Sequence, residues 1–221
     1  MEWRVDKSPS FSILKIRLGP GESVTAEPGA MVLMRGPLEI KTHTGGVGRA
    51  ILRALAGGES VWLNTFTARG DAELWLAPPI PGDIAYVEIG GTPLIVQDTS
   101  YLAHHGDIKV GIAWRGFRGL LAEGQLVWLK LEGVGGAWLN SYGGVEVLEL
   151  KAGERVIVDN FHFIAMTEGA KWRVRKFGGL KSFLLGGEGI VIEIEGPTKL
   201  YLQTRSLQPF AAVLSRFIRR K

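Results

Sequence analysis

The chain has 221 residues, 46% of them hydrophobic, with 31 glycines, seven tryptophans and a formal net charge of +4. That apolar content supports a substantial core and excludes a wholly disordered chain. The absence of cysteine excludes disulfides and thiolate metal sites, and the small positive charge permits nucleic acid or acidic lipid as partners without arguing strongly for either.

The opening Met1-Glu2-Trp3-Arg4-Val5 offers neither the basic start nor the apolar core of a signal peptide. No apolar run reaches the length of a membrane span, so the expected location is cytoplasmic. Residues 2–5 and 11–18 read as an opening pair of short strands parted by Pro9, with Phe11, Ile13 and Leu18 expected to face inward. Gly19-Pro20-Gly21 makes a turn. Residues 23–25 and 30–34 form strands on either side of Glu27-Pro28-Gly29, where proline and glycine suit a tight turn.

Residues 38–41 read as another strand, followed by the loop Thr44-Gly-Gly-Val-Gly48. Ile51, Leu52 and Leu55 have helical spacing up to Gly57-Gly58. Strands follow at 61–66 and 72–76, and Pro78, Pro79 and Pro81 interrupt the ladder because proline has no backbone donor.

Strands at 85–89 and 94–97 lead to an Asp98-Thr99-Ser100 corner, then to separate strands at 101–104 and 109–113. Two more, at 126–131 and 137–142, are expected on either side of Glu132-Gly-Val-Gly-Gly136. The remaining strands fall at 145–150, 155–158, 162–166, 172–175, 190–195 and 199–203. The period then changes: Leu207, Phe210, Ala211, Leu214, Phe217 and Ile218 trace one face of a helix ending among Arg219, Arg220 and Lys221.

An order of segments repeats along the chain. An apolar run, a glycine pair or single glycine and a new strand occur around Gly58, Gly124 and Gly187, while Gly29, Gly91 and Gly153 are each 62 residues apart (91 − 29 and 153 − 91). These six glycines are expected to set turns. Trp62, Trp128, Ile192, Trp75, Leu139 and Tyr201 are expected at repeated inward positions. Three β repeat units follow, 1–81, 82–144 and 145–221, the last including the helix. Units of this size have little core alone, so they are expected to form one compact, approximately threefold body.

No catalytic, cofactor-binding or metal-binding residue is assigned, no cofactor is expected, and an enzyme is the weaker reading. The glycines after Thr44 can cradle phosphate, but neither a GxxxxGK[ST] motif nor a dinucleotide fingerprint is present. His43, His104, His105 and His162 lack convergent metal-ligand spacing. Glu59-Ser60 and Asp98-Thr99-Ser100 place acids beside hydroxyls without a nucleophile elbow. Glu73, Glu88, Glu146 and Glu195 read as outward strand residues.

Lys171, Arg173, Arg175 and Lys176, extended by Arg115, Arg118 and Arg205, form a candidate nucleic-acid surface. Its difficulty is that strand alternation separates Trp172 from the charges. The terminal helix, with Arg216, Arg219, Arg220 and Lys221, can cap an end of the β body, meet another subunit or lie on acidic lipid. Capping is the default, and a homo-oligomer through β edges or this helix is an open expectation.

Ala26-Glu-Pro-Gly-Ala-Met31, Gly57-Gly-Glu59 with Phe66, Gly70–Pro78 with Pro81-Gly-Asp83, and Gln203-Thr-Arg-Ser206 together carry a resemblance over nearly the whole chain. They resemble an uncharacterised prokaryotic family related to the yeast altered-inheritance-of-mitochondria proteins. The resemblance implies an all-β fold of three short double-stranded β-helix, or β-sandwich-like, units with a C-terminal amphipathic helix. That fold is similar to the tryptophan RNA-binding attenuation protein. It implies no tryptophan or RNA binding and supplies no catalytic residues. The mitochondrial relatives are associated with inner-membrane organisation, which is weak guidance for this chain. A soluble, non-enzymatic scaffold or binding protein is the expectation, with an RNA- or acidic-lipid-binding protein as the first alternative and a small-molecule enzyme as the next.

Overall fold

The structure is a computed structural model, and it describes residues 1–44, 62–115, 127–176 and 190–217. Gly58, Gly124, Gly187, Glu59-Ser60, the glycine loop after Thr44 and the helical run 49–55 lie outside the described residues. Among the described residues the fold is all-β apart from one C-terminal helix and two 3-10 turns.

Its strands in chain order are β1 (Glu2–Asp6), β2 (Ile13–Leu18), β3 (Ser23–Ala26), β4 (Met31–Arg35), β5 (Leu38–His43), β6 (Leu63–Ala68) and β7 (Ala72–Leu76). Next come β8 (Ile84–Gly90), β9 (Leu94–Gln97), β10 (Tyr101–Arg115) and β11 (Val127–Asn140). The last are β12 (Val145–Leu150), β13 (Arg155–Asp159), β14 (Phe163–Thr167), β15 (Lys171–Lys176), β16 (Ile190–Glu195) and β17 (Thr198–Gln203), before helix α1 (Leu207–Ser215). The 3-10 turns, Asp98–Ser100 and Asn160–His162, follow β9 and β13.

One order of antiparallel pairing recurs along the chain. In the first stretch β7 lies between β2 and β4, and β6 lies between β3 and β5. In the last, β17 lies between β12 and β14, and β16 lies between β13 and β15. The middle stretch makes the same pairings with fused strands. The second half of β11 lies between β8 and the first half of β10, and its first half lies between β9 and the second half of β10. Two further ladders join the stretches, β3 with β10 and β9 with β14. Three clusters of buried apolar side chains fill the body, centred on Leu14, Ile16 and Leu74, on Val96, Leu129 and Leu139, and on Trp128, Phe163 and Ile192.

The continuity of β10 and β11 departs from the four shorter strands expected there. Glycine does not break this ladder; it permits it. A Cβ on Gly133, whose φ is 135°, would lie 1.9 Å from the Asp107 carbonyl oxygen, and one on Gly135 would lie 2.1 Å from the His105 carbonyl oxygen. The two long strands therefore cross closely where any side chain would force them apart.

Four inward assignments also change. Leu14, Ile16 and Leu18 are buried in β2, whereas Phe11 is exposed and Ile13 half-buried. Lys15 sets that phase: its Nζ is 2.9 Å from Asp6 Oδ2 and 4.1 Å from the centroid of the Trp75 ring, on the outer face. Trp128, Leu139, Ile192 and Tyr201 are buried as expected, Trp75 is half-buried, and Trp62 is exposed immediately ahead of β6. The spacing of Gly29, Gly91 and Gly153 likewise does not mark one place. Gly91 and Gly153 turn the chain ahead of β9 and β13, the place held in the first stretch by Gly21, whereas Gly29 follows β3.

Gly133→Ala is expected to cost on the order of 2–3 kcal/mol, because both its backbone conformation and the Asp107 carbonyl oppose a Cβ. Gly91→Ala meets nothing within 4 Å and adds only the cost of its φ of 101°, about 1 kcal/mol. Urea unfolding midpoints of the two variants check the ranking.

Candidate functional site

A connected polar cluster sits where β3 meets β10. This ladder is short, Ala26 opposite Ala103 and Thr25 opposite His104. Tyr101 Oη lies 2.7 Å from His104 Nδ1 and 3.2 Å from the Thr25 carbonyl oxygen. A hydroxyl has one proton, so both contacts are made when His104 Nδ1–H donates to Tyr101 Oη and Tyr101 donates to Thr25. Thr25 and Thr65 hydroxyls are 2.7 Å apart, and His43 Nε2 lies 2.7 Å from the Thr65 hydroxyl. Burial pushes the Tyr101 hydroxyl well above the usual phenol range and lowers His104 to about 4. His104 is therefore neutral at pH 7.

Glu27 stands beside this network at the end of β3. Its backbone N–H donates to the Leu102 carbonyl over 2.9 Å, which draws the side chain into the junction. Oε1 is buried without a hydrogen-bond partner, and burial raises the carboxyl to about 7. The sequence places Glu27 in a turn, with nothing local to mark a buried acid; its burial comes from β10, far away in the chain.

The remaining histidines serve separate places. His105 Nε2 lies 3.0 Å from the Tyr86 hydroxyl in an aromatic group with Trp3 and Trp138. His162 Nδ1 donates to the Gln203 carbonyl over 2.7 Å. Among the described residues, no group of three histidines or carboxylates is placed to hold a metal ion.

Lys171, Arg173 and Arg175 of the basic strand β15 lie on the outer face of the β13–β16–β15 sheet, beside a concavity of about 520 Å³. Arg173 and Arg175 pair with Glu193, and Arg155 and Lys171 with Glu195. Hydrogen bonding from Arg173 holds the Glu193 carboxyl below its ordinary range, and Arg155 does the same for Glu195. Trp172 lies on the opposite face against Trp114 and Trp128. These four cations therefore share two carboxylates, and the β15 cations lie on the face opposite the Trp172 ring contacts.

Of the other acids considered, Glu73 accepts from Trp75 Nε1 at 2.7 Å and pairs with Arg35 at 3.3 Å, while Glu88 and Glu146 are exposed. Asp98 accepts from the Thr99 backbone N–H at 2.9 Å, closing its own turn. Helix α1 differs from its default expectation. None of its residues is buried; Leu207, Phe210, Val213 and Leu214 are exposed, as is Phe217 beyond it. Phe210 meets Tyr142 with ring centroids 5.9 Å apart. Among the described residues, no helix is long and apolar enough to cross a membrane.

Glu27 and His104 impose opposite pH dependences. Glu27 is easier to protonate folded than unfolded, so its contribution falls as pH rises from 4.5 to about 7. His104 is harder to protonate folded, so its contribution rises with pH from about 4 to 6.5. Glu27→Gln is expected to match the native chain below pH 4.5 and to exceed it by a margin on the order of 3 kcal/mol above pH 7. Urea unfolding between pH 4 and 8 measures this margin; a constant difference at every pH contradicts it.

The chain resembles two proteins of Streptococcus pyogenes. An uncharacterized protein of serotype M6 is 29% identical over 227 residues, a match covering 99% of this chain and 91% of the relative. A crystal structure of an S. pyogenes protein superposes with a TM-score of 0.83 at 29% identity, covering 98% of this chain and 99% of the other. The model of the mitochondrial biogenesis AIM24 family matches residues 3–205, from β1 to the residue before the α1 N-cap. With the match running through every strand pairing described above, the chain belongs to the AIM24 family.

Proposed function

We propose that the chain is a cytoplasmic scaffold or binding protein, working by presenting surfaces from a rigid β body. The carrying observation is the grouping of exposed apolar side chains on edge strands and the terminal helix. Met31, Val32 and Met34 lie on β4, Ile157 on β13, and Leu207, Phe210, Val213, Leu214 and Phe217 in or just after α1. Sheet edges and helices carrying such groups are interaction surfaces by their physical chemistry. The three units 1–81, 82–144 and 145–221, and the likeness to the tryptophan RNA-binding attenuation protein fold, belong to this proposal; the recurring order of strand pairing supports both.

Cross-linking mass spectrometry on untagged protein in extract of its own cells tests the proposal. Cross-links concentrated at 31–35, 155–159 and 207–217 are expected. An even spread over the body, or links confined to other faces, overturns it.

A second reading concerns α1. No acidic residue follows Glu195, while Arg216, Arg219, Arg220 and Lys221 lie in or after the helix. An apolar helix face with adjoining cations suits an acidic lipid surface. Flotation is expected with vesicles containing anionic phospholipid, and is expected to be lost with neutral vesicles or on deletion of residues 206–221. Binding that survives the deletion removes α1 from the reading. Nucleic acid ranks below lipid because Glu193 and Glu195 already pair the β15 cations.

A further inference from the structure

The ladders between stretches follow one rule. The second strand of a stretch pairs with the third strand of the next: β3 with β10, then β9 with β14. Continued once more, the rule calls for β13 to pair with β4. It does not do so within the chain: among the described residues, β13 pairs with β16 and with no other strand, and β4 with β7 and with no other. We propose that β13 of one molecule pairs antiparallel with β4 of a second copy, joining copies head to tail.

The register follows from the two internal ladders. Matching bulges align the third strands, between Met31 and Leu33, Tyr101 and Ala103, and Phe163 and Ala165. In the second strands, Val158 and Val96 lie opposite Ile192 and Leu129, and Ile157 and Ile95 opposite Glu193 and Lys130. Val96 pairs with Ala165 and Ile95 with Met166. The proposed ladder therefore sets Val158 opposite Leu33 and Ile157 opposite Met34. The β3–β10 ladder gives the same register, with Ala26 opposite Ala103 and Thr25 opposite His104.

Exposure supports this occupant. Ile95 is 5% exposed and Met166 0% at the internal junction, whereas Ile157 is 56% and Met34 38% at the open ends. Met31 is also exposed, while Tyr101 and Phe163 at the same place in β10 and β14 are buried. These side chains are apolar in the way a junction requires, and only a neighbour is missing. The outer face of β13–β16–β15, with its concavity, becomes the wall against which the next copy's β4 seats. Because the two surfaces differ, each added copy leaves one β4 edge and one β13 edge open until the series closes.

The inference rests on reading the exposed edges as working surfaces, and it names their partner. Ile157→Lys blocks the β13 edge, and Met34→Lys blocks the β4 edge; both positions are exposed in the single chain. Light scattering after size exclusion is expected to show the full-length native chain as an assembly and each variant at the single-chain mass of 24.1 kDa. An equimolar mixture of the variants retains one intact β4 and one intact β13, so it is expected to move to twice that mass. A native monomer, variants that assemble like the native chain, or a mixture that stays monomeric each overturns the pairing. If either variant unfolds, amide exchange on the native chain decides: protection at 31–35 and 155–159 must fall on dilution, and concentration-independent exchange there overturns the pairing. A native monomer whose edges still cross-link to other proteins defeats self-pairing and leaves the scaffold reading standing.

Discussion

The backbone hydrogen bonds between β10 and β11 are the interaction on which the rest of the structure depends. Register runs from Tyr101 opposite Leu139 to Arg115 opposite Val127, with two shifts. This one ladder carries both pairings of the middle stretch, with β8 and with β9. It also receives the first stretch through β3, and β9 on its flank receives the last through β14. Buried backbone donors and acceptors must be paired. Forcing β10 and β11 apart at Gly133 and Gly135 therefore unpairs groups in the ladder to which all three stretches are joined.

A second constraint acts at the junctions. A strand shared by neighbouring stretches has no solvent face, so both sets of its alternating side chains must be buried. Val96 and Ala165 face the middle core, whereas Ile95 and Met166 face the last one. The β3–β10 junction meets the same demand with polar groups: Thr25, Thr65, His43, Tyr101 and His104 form connected contacts. Glu27 is the member left unsatisfied, and its raised pKa is the consequence of burial without a partner.

Much of the strand layout was legible in sequence because it was local. Residues 72–76, 94–97, 145–150 and 190–195 have period-two or continuous apolar patterns bounded by turn residues, and they are the observed strands. The glycines of 132–136 misled because glycine at a turn and glycine at a close strand crossing look alike in sequence. The phase of β2 was hidden because Lys15 takes its place from Asp6 and Trp75, one of them 60 residues away. The functional surfaces were less legible still. That Trp172 and the β15 cations part company follows from alternation alone, but the pairing of those cations with Glu193 and Glu195 depends on register with β16.

The C-terminal helix shows where amphipathic periodicity stops being informative. Its stripe of Leu207, Phe210, Leu214 and Phe217 requires an apolar neighbour but does not specify one. Among the described residues the body does not bury it, since no helix residue is buried and the ring contact is a tilted one between Phe210 and Tyr142. The edge strands are different. For β4 and β13 the interior of the same molecule displays the completed contact twice, in matching register and with matching burial. A repeated internal interface thus says more about what covers an open edge than the hydrophobicity of that edge can say by itself.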